Sequence, residues 1–172
     1  MRYFLDFDRT IFDTDTFIRY LAERPDIGEL AREEEMTLAA LLEERAKEGT
    51  LTFAPGELSQ FLYPDAATFL REKENAVTII TFGNPTLQEL KAKSALFGIP
   101  RMAVMYTGGI RKGEFLAPHT HLHEGAVAVD DSPLELEFLA SGCAPIALYE
   151  IRRDGGTGDG RWPVIRSLAE LP

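Results

Sequence analysis

A chain of 172 residues is long enough for one domain with a substantial core and a small inserted subdomain, but not for two full domains. Its hydrophobic fraction of 45% and charged fraction of 27% are ordinary for a globular protein and argue against disorder or membrane residence. The formal net charge of −10 argues against a nucleic-acid partner, since phosphate backbones are bound by clustered Lys and Arg, but leaves open a phosphorylated substrate held through a metal.

The opening Met-Arg-Tyr-Phe-Leu-Asp reaches an acid too early for a signal peptide or membrane span, so a cytoplasmic protein with no membrane partner is expected. The single cysteine, Cys143, has no internal disulfide partner. It lies beside Gly142, Ala144 and Pro145, with no adjoining base to activate it, and reads as a small apolar filler entering a strand.

Residues 2–8 read as a buried parallel strand carrying Asp6 and Asp8 at its end. Residues i and i+2 of an extended segment point to the same side, so the two carboxylates can face one small volume. There they repel unless a cation neutralises them, one is protonated, or solvent screens them. Taken alone, the pair is better explained by an Asx turn closing a strand. Thr10 to Asp15 follows as a polar turn with two apolar anchors, Ile11 and Phe12.

From Thr16 the apolar period becomes helical through Phe17, Ile18, Tyr20 and Leu21, and Arg24-Pro25 ends that helix. A charged amphipathic segment comes next, with Leu30, Met36, Leu38, Leu41 and Leu42 as buried candidates. Glu33, Glu34, Glu35, Glu43 and Glu44 form its solvated face, and Gly49 is its stop. Residues 15–52 thus read as a small helical insert. Short helices are expected over Gly56–Tyr63 and from Pro64 to Lys73 or Glu74.

Ala76 to Ile80 is a β-branched strand ending at Thr81, which sets a hydroxyl at a strand terminus. Thr86 is expected to cap a helix running to Phe97, stopped by Gly98. Met102–Tyr106 forms a third strand, followed by a basic loop over Thr107–Gly113 that contains Arg111 and Lys112. A fourth strand, Ala126–Val129, runs into Asp130-Asp131-Ser132-Pro133, with Pro133 opening a helix over Leu134–Ser141. A fifth strand at Ala144–Tyr149, a Gly-rich loop at 155–160 and a terminal helix near Val164–Leu171 complete the chain.

Apolar strands alternating with helices predict a doubly wound α/β fold, a Rossmann-like parallel sheet flanked by helices. In such sheets ligands sit at the strand C-terminal ends. By that rule Asp6, Asp8, Thr81, Asp130 and Asp131 converge on one crevice.

The ordered set Asp6-x-Asp8-x-Thr10, a strand ending in Thr81-x-Gly83, a basic Lys112 and a strand ending in Asp130-Asp131 resembles the haloacid dehalogenase (HAD) superfamily of phosphohydrolases. The resemblance implies a HAD-like core of residues 1–14 and 53–172, with residues 15–52 as a small α-helical cap. It implies that Asp6 attacks phosphorus to give an aspartyl phosphate, while Asp8 protonates the leaving oxygen and then activates water. It also implies Mg²⁺ bound by Asp6, the Asp8 backbone carbonyl and Asp130, with Asp131 supporting. Thr81 would donate its hydroxyl to the phosphoryl oxygens, and Lys112 would neutralise phosphoryl charge and orient Asp6.

The residue types suit the chemistry. A carboxylate is a nucleophile without a base, but approaching a phosphate requires an offsetting cation, and a hard ion with oxygen ligands fits that role. The sequence departs from the family at Arg9, where glycine is common. Arg111, Lys91 and Lys93 compete with Lys112 for the phosphate-facing place, although the spacing to Asp130 favours Lys112. Asp13 serves equally well as a tie for the loop or as a turn residue. Arg19, Arg24 and Arg32 in the insert either meet an anionic substrate or stay solvated.

Other readings compete. His119, His121 and His123 would share a face on a strand and could bind a transition metal, but Pro118 favours a surface loop. The Gly-rich 155–160 segment lacks the strand-to-helix setting of a phosphate cradle. A receiver domain would carry its paired acids on the first strand, whereas here they come late. The expected function is therefore a Mg²⁺-dependent phosphatase acting on a small phosphorylated metabolite. A mutase-type phosphoryl transferase and a catalytically idle binding protein are the alternatives, and these motifs do not encode the oligomeric state.

Overall fold

The computed structural model describes residues 1–29, 37–99 and 102–172. Its described strands are β1 (Arg2–Leu5), β2 (Val77–Thr81), β3 (Ala103–Tyr106), β4 (Ala126–Asp130), β5 (Ala147–Ile151) and β6 (Val164–Ile165). They form one sheet in the order β3-β2-β1-β4-β5-β6, every pair parallel. The sheet is the expected doubly wound α/β arrangement. The chain leaves β1 toward β2 and β3 on one side and returns past β1 to β4, so the crevice outside the C-terminal ends of β1 and β4 is the switch point.

Alternation along each strand feeds two cores. Tyr3 and Leu5, Val77 and Ile79, and Val127 and Val129 point into one cluster, whereas Phe4, Ile80, Ala126 and Ala128 point into the other. Helices α1 (Thr14–Glu23), α2 (Leu38–Glu48), α3 (Pro64–Glu72) and α4 (Pro85–Ala95) supply buried residues to the first cluster, among them Phe17, Leu21, Leu41, Leu42, Ala66, Phe69 and Ala92. Helices α5 (Lys112–Leu116) and α6 (Pro133–Gly142) cover the second through Leu116, Leu136 and Leu139. A single π-helical turn spans Pro25–Glu29. Among the described residues of 17–46, those that reach the core, such as Phe17, Leu21, Leu41 and Leu42, join the same cluster as Leu5 and Phe7. No helix among the described residues is long and apolar enough to cross a membrane.

Several local expectations shift. The first strand ends at Leu5, which leaves Asp6 to Asp8 in the turn beyond it. The cap of α4 is Asn84, not Thr86: its side chain accepts from the Leu87 N–H at 3.1 Å, and Pro85 takes the first helical position, where no N–H is needed. Lys112 opens α5 and is not a loop residue. The fifth strand lies at Ala147–Ile151, later than expected. The predicted terminal helix is instead the short strand β6 followed by a 3₁₀ turn at Leu168–Glu170, capped by Ser167. The short helix expected over Gly56–Tyr63 is a 3₁₀ turn at Glu57–Phe61. Leu38, Leu41 and Leu42 lie on α2 with Leu41 and Leu42 buried, whereas Leu30, Met36, Arg32 and Glu33 to Glu35 lie outside the described residues.

Candidate active site

The turn after β1 is built by a tight local network. The backbone N–H groups of Ile11 and Phe12 both donate to the Phe7 carbonyl, and Arg9 N–H donates to the Phe12 carbonyl. This folds the chain back on itself, with Arg9 in the left-handed region at φ 58°. That conformation favours the glycine the resemblance leads one to expect, so Arg9 holds it at a cost in backbone strain. The Arg9 guanidinium binds Asp15 at 2.8 and 3.1 Å. Ile11 and Phe12 anchor the turn in the core, and Asp13 caps α1 by accepting from Thr16.

Asp6, Asp8, Lys112, Asp130 and Asp131 line one crevice of about 210 Å³, together with Arg9, Phe82, Arg111, Ser132 and Glu135. The Lys112 ammonium, fully buried, lies 2.5 Å from Asp6 Oδ1 and 2.6 Å from Asp130 Oδ2. Asp6 Oδ2 keeps no hydrogen-bond partner among the described residues. Burial pushes the Asp6 carboxyl up to about 7, with Lys112 opposing and Asp130 and Asp8 reinforcing the rise. Burial raises Asp130 as well, against the pull of Lys112. Asp131 is pushed up to about 6, first by burial and then by Asp6. For Lys112, the two carboxylates outweigh burial and hold the ammonium charged.

Thr81 ends β2 one strand away from Asp6. Its hydroxyl is buried and has no hydrogen-bond partner among the described residues. Such an orphan costs on the order of 1–3 kcal/mol, so it marks a place where a bound acceptor would be favoured.

Lys112 is positioned through Glu135. This buried carboxylate accepts the Lys112 backbone N–H at 3.0 Å and binds Arg111 at 2.5 Å, tying the start of α5 to the first turn of α6. Arg111 lies between the rings of Phe82 and Phe138, at 5.0 and 5.4 Å. Of the competing cations, Lys112 meets Asp6, Arg111 sits at the rim, and Lys93 pairs with Glu89 on the exposed face of α4. Lys91 does something the sequence reading did not foresee: it reaches Asp8 Oδ1 at 2.5 Å. Glu135 and Gln88 were likewise missed. The one signal for Gln88 and Lys91 is their spacing of three on α4, which puts both on one helical face.

The Asp8 carboxylate also accepts from Thr14 Oγ1 at 2.6 Å and Gln88 Nε2 at 2.9 Å. Burial alone would raise this carboxyl, but the Lys91 charge and the hydrogen bonds together hold it below the ordinary value.

Asp6, Asp130 and Asp131 each offer a carboxylate oxygen within 4.8 Å of the others. The five carboxylates of the crevice, Asp6, Asp8, Asp130, Asp131 and Glu135, meet four cations, Arg9, Arg111 and Lys112 along its wall and Lys91 behind Asp8, which leaves a small surplus of negative charge. A hard divalent cation fits both the oxygen donors and that surplus.

The remaining candidates separate from the site. His123 is buried with Nε2 beside the Leu116 carbonyl at 3.0 Å, while His119 faces the Phe115 carbonyl, so the three histidines do not gather as one ligand set. Arg19 bonds Thr16, and Arg24 pairs with Asp26 and Glu57. Cys143 is buried against the Gly113 carbonyl, as expected of a filler.

Comparison with solved structures places this architecture. A HAD phosphatase from Thermococcus onnurineus superimposes with a TM-score of 0.64 at 18% identity, covering 99% of this chain and 95% of that one. The chain has the haloacid dehalogenase-like fold. The HAD-hydrolase YfnB of Bacillus subtilis, a structure bound to magnesium, matches at 0.61 and 19% identity over 99% of this chain and 96% of its own. CbbY of Rhodobacter sphaeroides, in complex with xylulose-(1,5)bisphosphate, matches at 0.57 and 15% over 99% and 95%. No family model and no curated protein matches the sequence. At these identities the likeness establishes the HAD-like fold.

Proposed function

We propose that this protein is a Mg²⁺-dependent phosphomonoester hydrolase acting on a small phosphorylated substrate through an aspartyl phosphate on Asp6. The observation that carries the reading is the buried Lys112 ammonium joining Asp6 and Asp130 at a strand-end crevice that leaves Asp6 Oδ2 free to attack. Neighbours of the same fold that are described as phosphatase and hydrolases agree with it.

Asp6 Oδ2 attacks phosphorus as the bond to the ester oxygen breaks, and Asp8 gives that oxygen its proton. The free alcohol leaves. Asp8 then takes a proton from water as the water attacks the aspartyl phosphate, releasing inorganic phosphate and restoring Asp6. An ionised Asp8, as its surroundings favour, suits the second half. For the first half, the arriving phosphate dianion raises its affinity for a proton. Thr81 donates its free hydroxyl to a phosphoryl oxygen, and Lys112 orients Asp6 and offsets charge. Asp6, Asp130 and Asp131, with the Asp8 carbonyl, would hold Mg²⁺. When bound, the ion offsets repulsion between carboxylate and phosphate. Residues 15–52 serve in this reading as the small cap.

The test is phosphate release from an aryl phosphate in Mg²⁺, in EDTA, and with Asp6→Asn. The expected result is turnover in Mg²⁺ alone. Equal rates in all three conditions would remove the mechanism, and no turnover on a broad panel of phosphate esters would favour an idle binding protein.

A further inference from the structure

We propose that Lys91 is the positioning residue that fixes the Asp8 carboxylate toward the leaving-group oxygen, an inference that rests on the phosphatase reading above. Asp8 stands beyond the end of β1, its backbone bridged to Phe12, which leaves the rotamer of its side chain to be set by other groups. Its orientation is set from outside. Lys91, only 5% exposed, comes from α4. Gln88, one turn earlier, comes from the same face, and Thr14 comes from the start of α1.

The Lys91 ammonium lies 5.3, 5.3 and 5.8 Å from the ring centres of Phe7, Phe12 and Phe17. These rings favour a cation but accept no full hydrogen bond. Asp8 is therefore the one anion the ammonium meets among the described residues. A buried lysine with a single carboxylate partner holds that partner firmly, since leaving either charge unpaired is costly.

The donor count then fixes which oxygen works. Oδ1 accepts from both Lys91 and Thr14, which fills its two lone pairs. Oδ2 accepts only from Gln88, so it retains one lone pair. With 29% of its side chain exposed, Asp8 presents that lone pair to the crevice. Proton exchange with the leaving group therefore runs through Oδ2.

A structural ion pair would also explain burial, but the two roles differ in which substrates suffer. A phenolate of low basicity departs without a proton, whereas an alkoxide requires one, so only alkyl esters depend on where Asp8 points. The parameter kcat/KM covers the steps through departure of the first product and is blind to the later hydrolysis. In Mg²⁺, Lys91→Met is expected to lower kcat/KM about 10²-fold for an alkyl phosphate and less than about threefold for p-nitrophenyl phosphate. Gln88→Leu is expected to act in the same direction with a smaller ratio, and it guards against misfolding of the lysine variant. Crystal structures of both variants report on Asp8 without any substrate, and a changed Asp8 rotamer in Lys91→Met is expected. Equal losses on the two esters, or an unchanged Asp8 rotamer, would overturn the proposal. If the wild-type protein hydrolyses neither ester, the phosphatase reading fails, while the Asp8 rotamer still decides the role of Lys91.

Discussion

Replacing Gly113 by alanine is expected to disable the site without touching any group that meets substrate. Gly113 follows Lys112 on α5, where the helix crosses α6 backbone to backbone. A Cβ there would fall 1.9 Å from the Phe138 carbonyl oxygen and 2.8 Å from the Leu139 nitrogen. These are main-chain atoms of a regular helix, so no side chain can swing aside. Restoring an ordinary contact of 3.4 Å needs α5 and α6 to part by about 1.5 Å, and such overpacking costs about 1–3 kcal/mol. The displacement carries Lys112 with it. Its two charge-assisted contacts, at 2.5 and 2.6 Å, have no slack for a shift of that size. A misplacement of about 1 Å costs about 10²-fold in rate. Steady-state hydrolysis of an aryl phosphate in Mg²⁺, with denaturant unfolding alongside, should show kcat/KM reduced about 10²-fold and stability lowered. Gly142→Ala is a graded control, because its Cβ would meet the Gly113 carbonyl at a less severe 2.7 Å, from the far end of α6. A Gly113→Ala protein with wild-type activity and stability would refute the claim that this crossing sets Lys112.

Three further outcomes follow from the site. Thr81→Val should leave stability equal or higher, because it removes a buried hydroxyl with no partner, yet lower kcat by about 10²–10³-fold; a loss of stability would show that the hydroxyl is satisfied in the free protein. In EDTA, the Asp6 carboxyl, raised from 3.8 to about 7 mainly by burial, binds its proton more tightly when folded. Its contribution is therefore full below pH 3.8 and is lost as pH rises through about 7, a swing of about 4 kcal/mol. Denaturant midpoints across that window should fall with pH in the wild type and less steeply in Asp6→Asn, where the raised Asp130 and Asp131 carboxyls still contribute, whereas identical slopes would contradict the assignment. Arg9→Gly should raise stability by about 1 kcal/mol, since it relieves a left-handed residue at φ 58° and gives up an exposed pair with Asp15 and a weaker attraction to Asp131 and Asp8; an unchanged or lowered unfolding midpoint would count against strain at that turn.

The sheet was legible because its strands are runs of β-branched and apolar residues whose C-terminal ends carry Asp6, Thr81 and Asp130, and a parallel sheet brings such ends together. The convergence of Asp6, Asp130 and Asp131 follows from that rule alone, whereas Lys112, which opens a helix, was placed only by the family resemblance and its spacing to Asp130. What the sequence hid depends on contacts across the chain. Val164 and Ile165 are too few to show a period, and only pairing with β5 makes them a strand. Gly113 reads as a loop residue, although it is glycine because α6 passes within contact of its backbone. Thr86 and Asn84 are both good caps, and Pro85 between them decides for Asn84. Lys91 looks like a surface lysine on a mixed helix. Its role arises because Phe7, Phe12 and Phe17 meet beneath it and Asp8 arrives from the turn after β1.

The central claim, that Asp6 is the nucleophile, is tested most directly by looking for the phosphoryl group on the protein. After brief reaction with an aryl phosphate in Mg²⁺ and acid quenching, the peptide containing Asp6 should carry one phosphoryl group. Hydroxylamine should remove it, and Asp6→Asn should abolish it. A labelled peptide elsewhere, or rapid turnover with Asp6 never modified, would contradict the account.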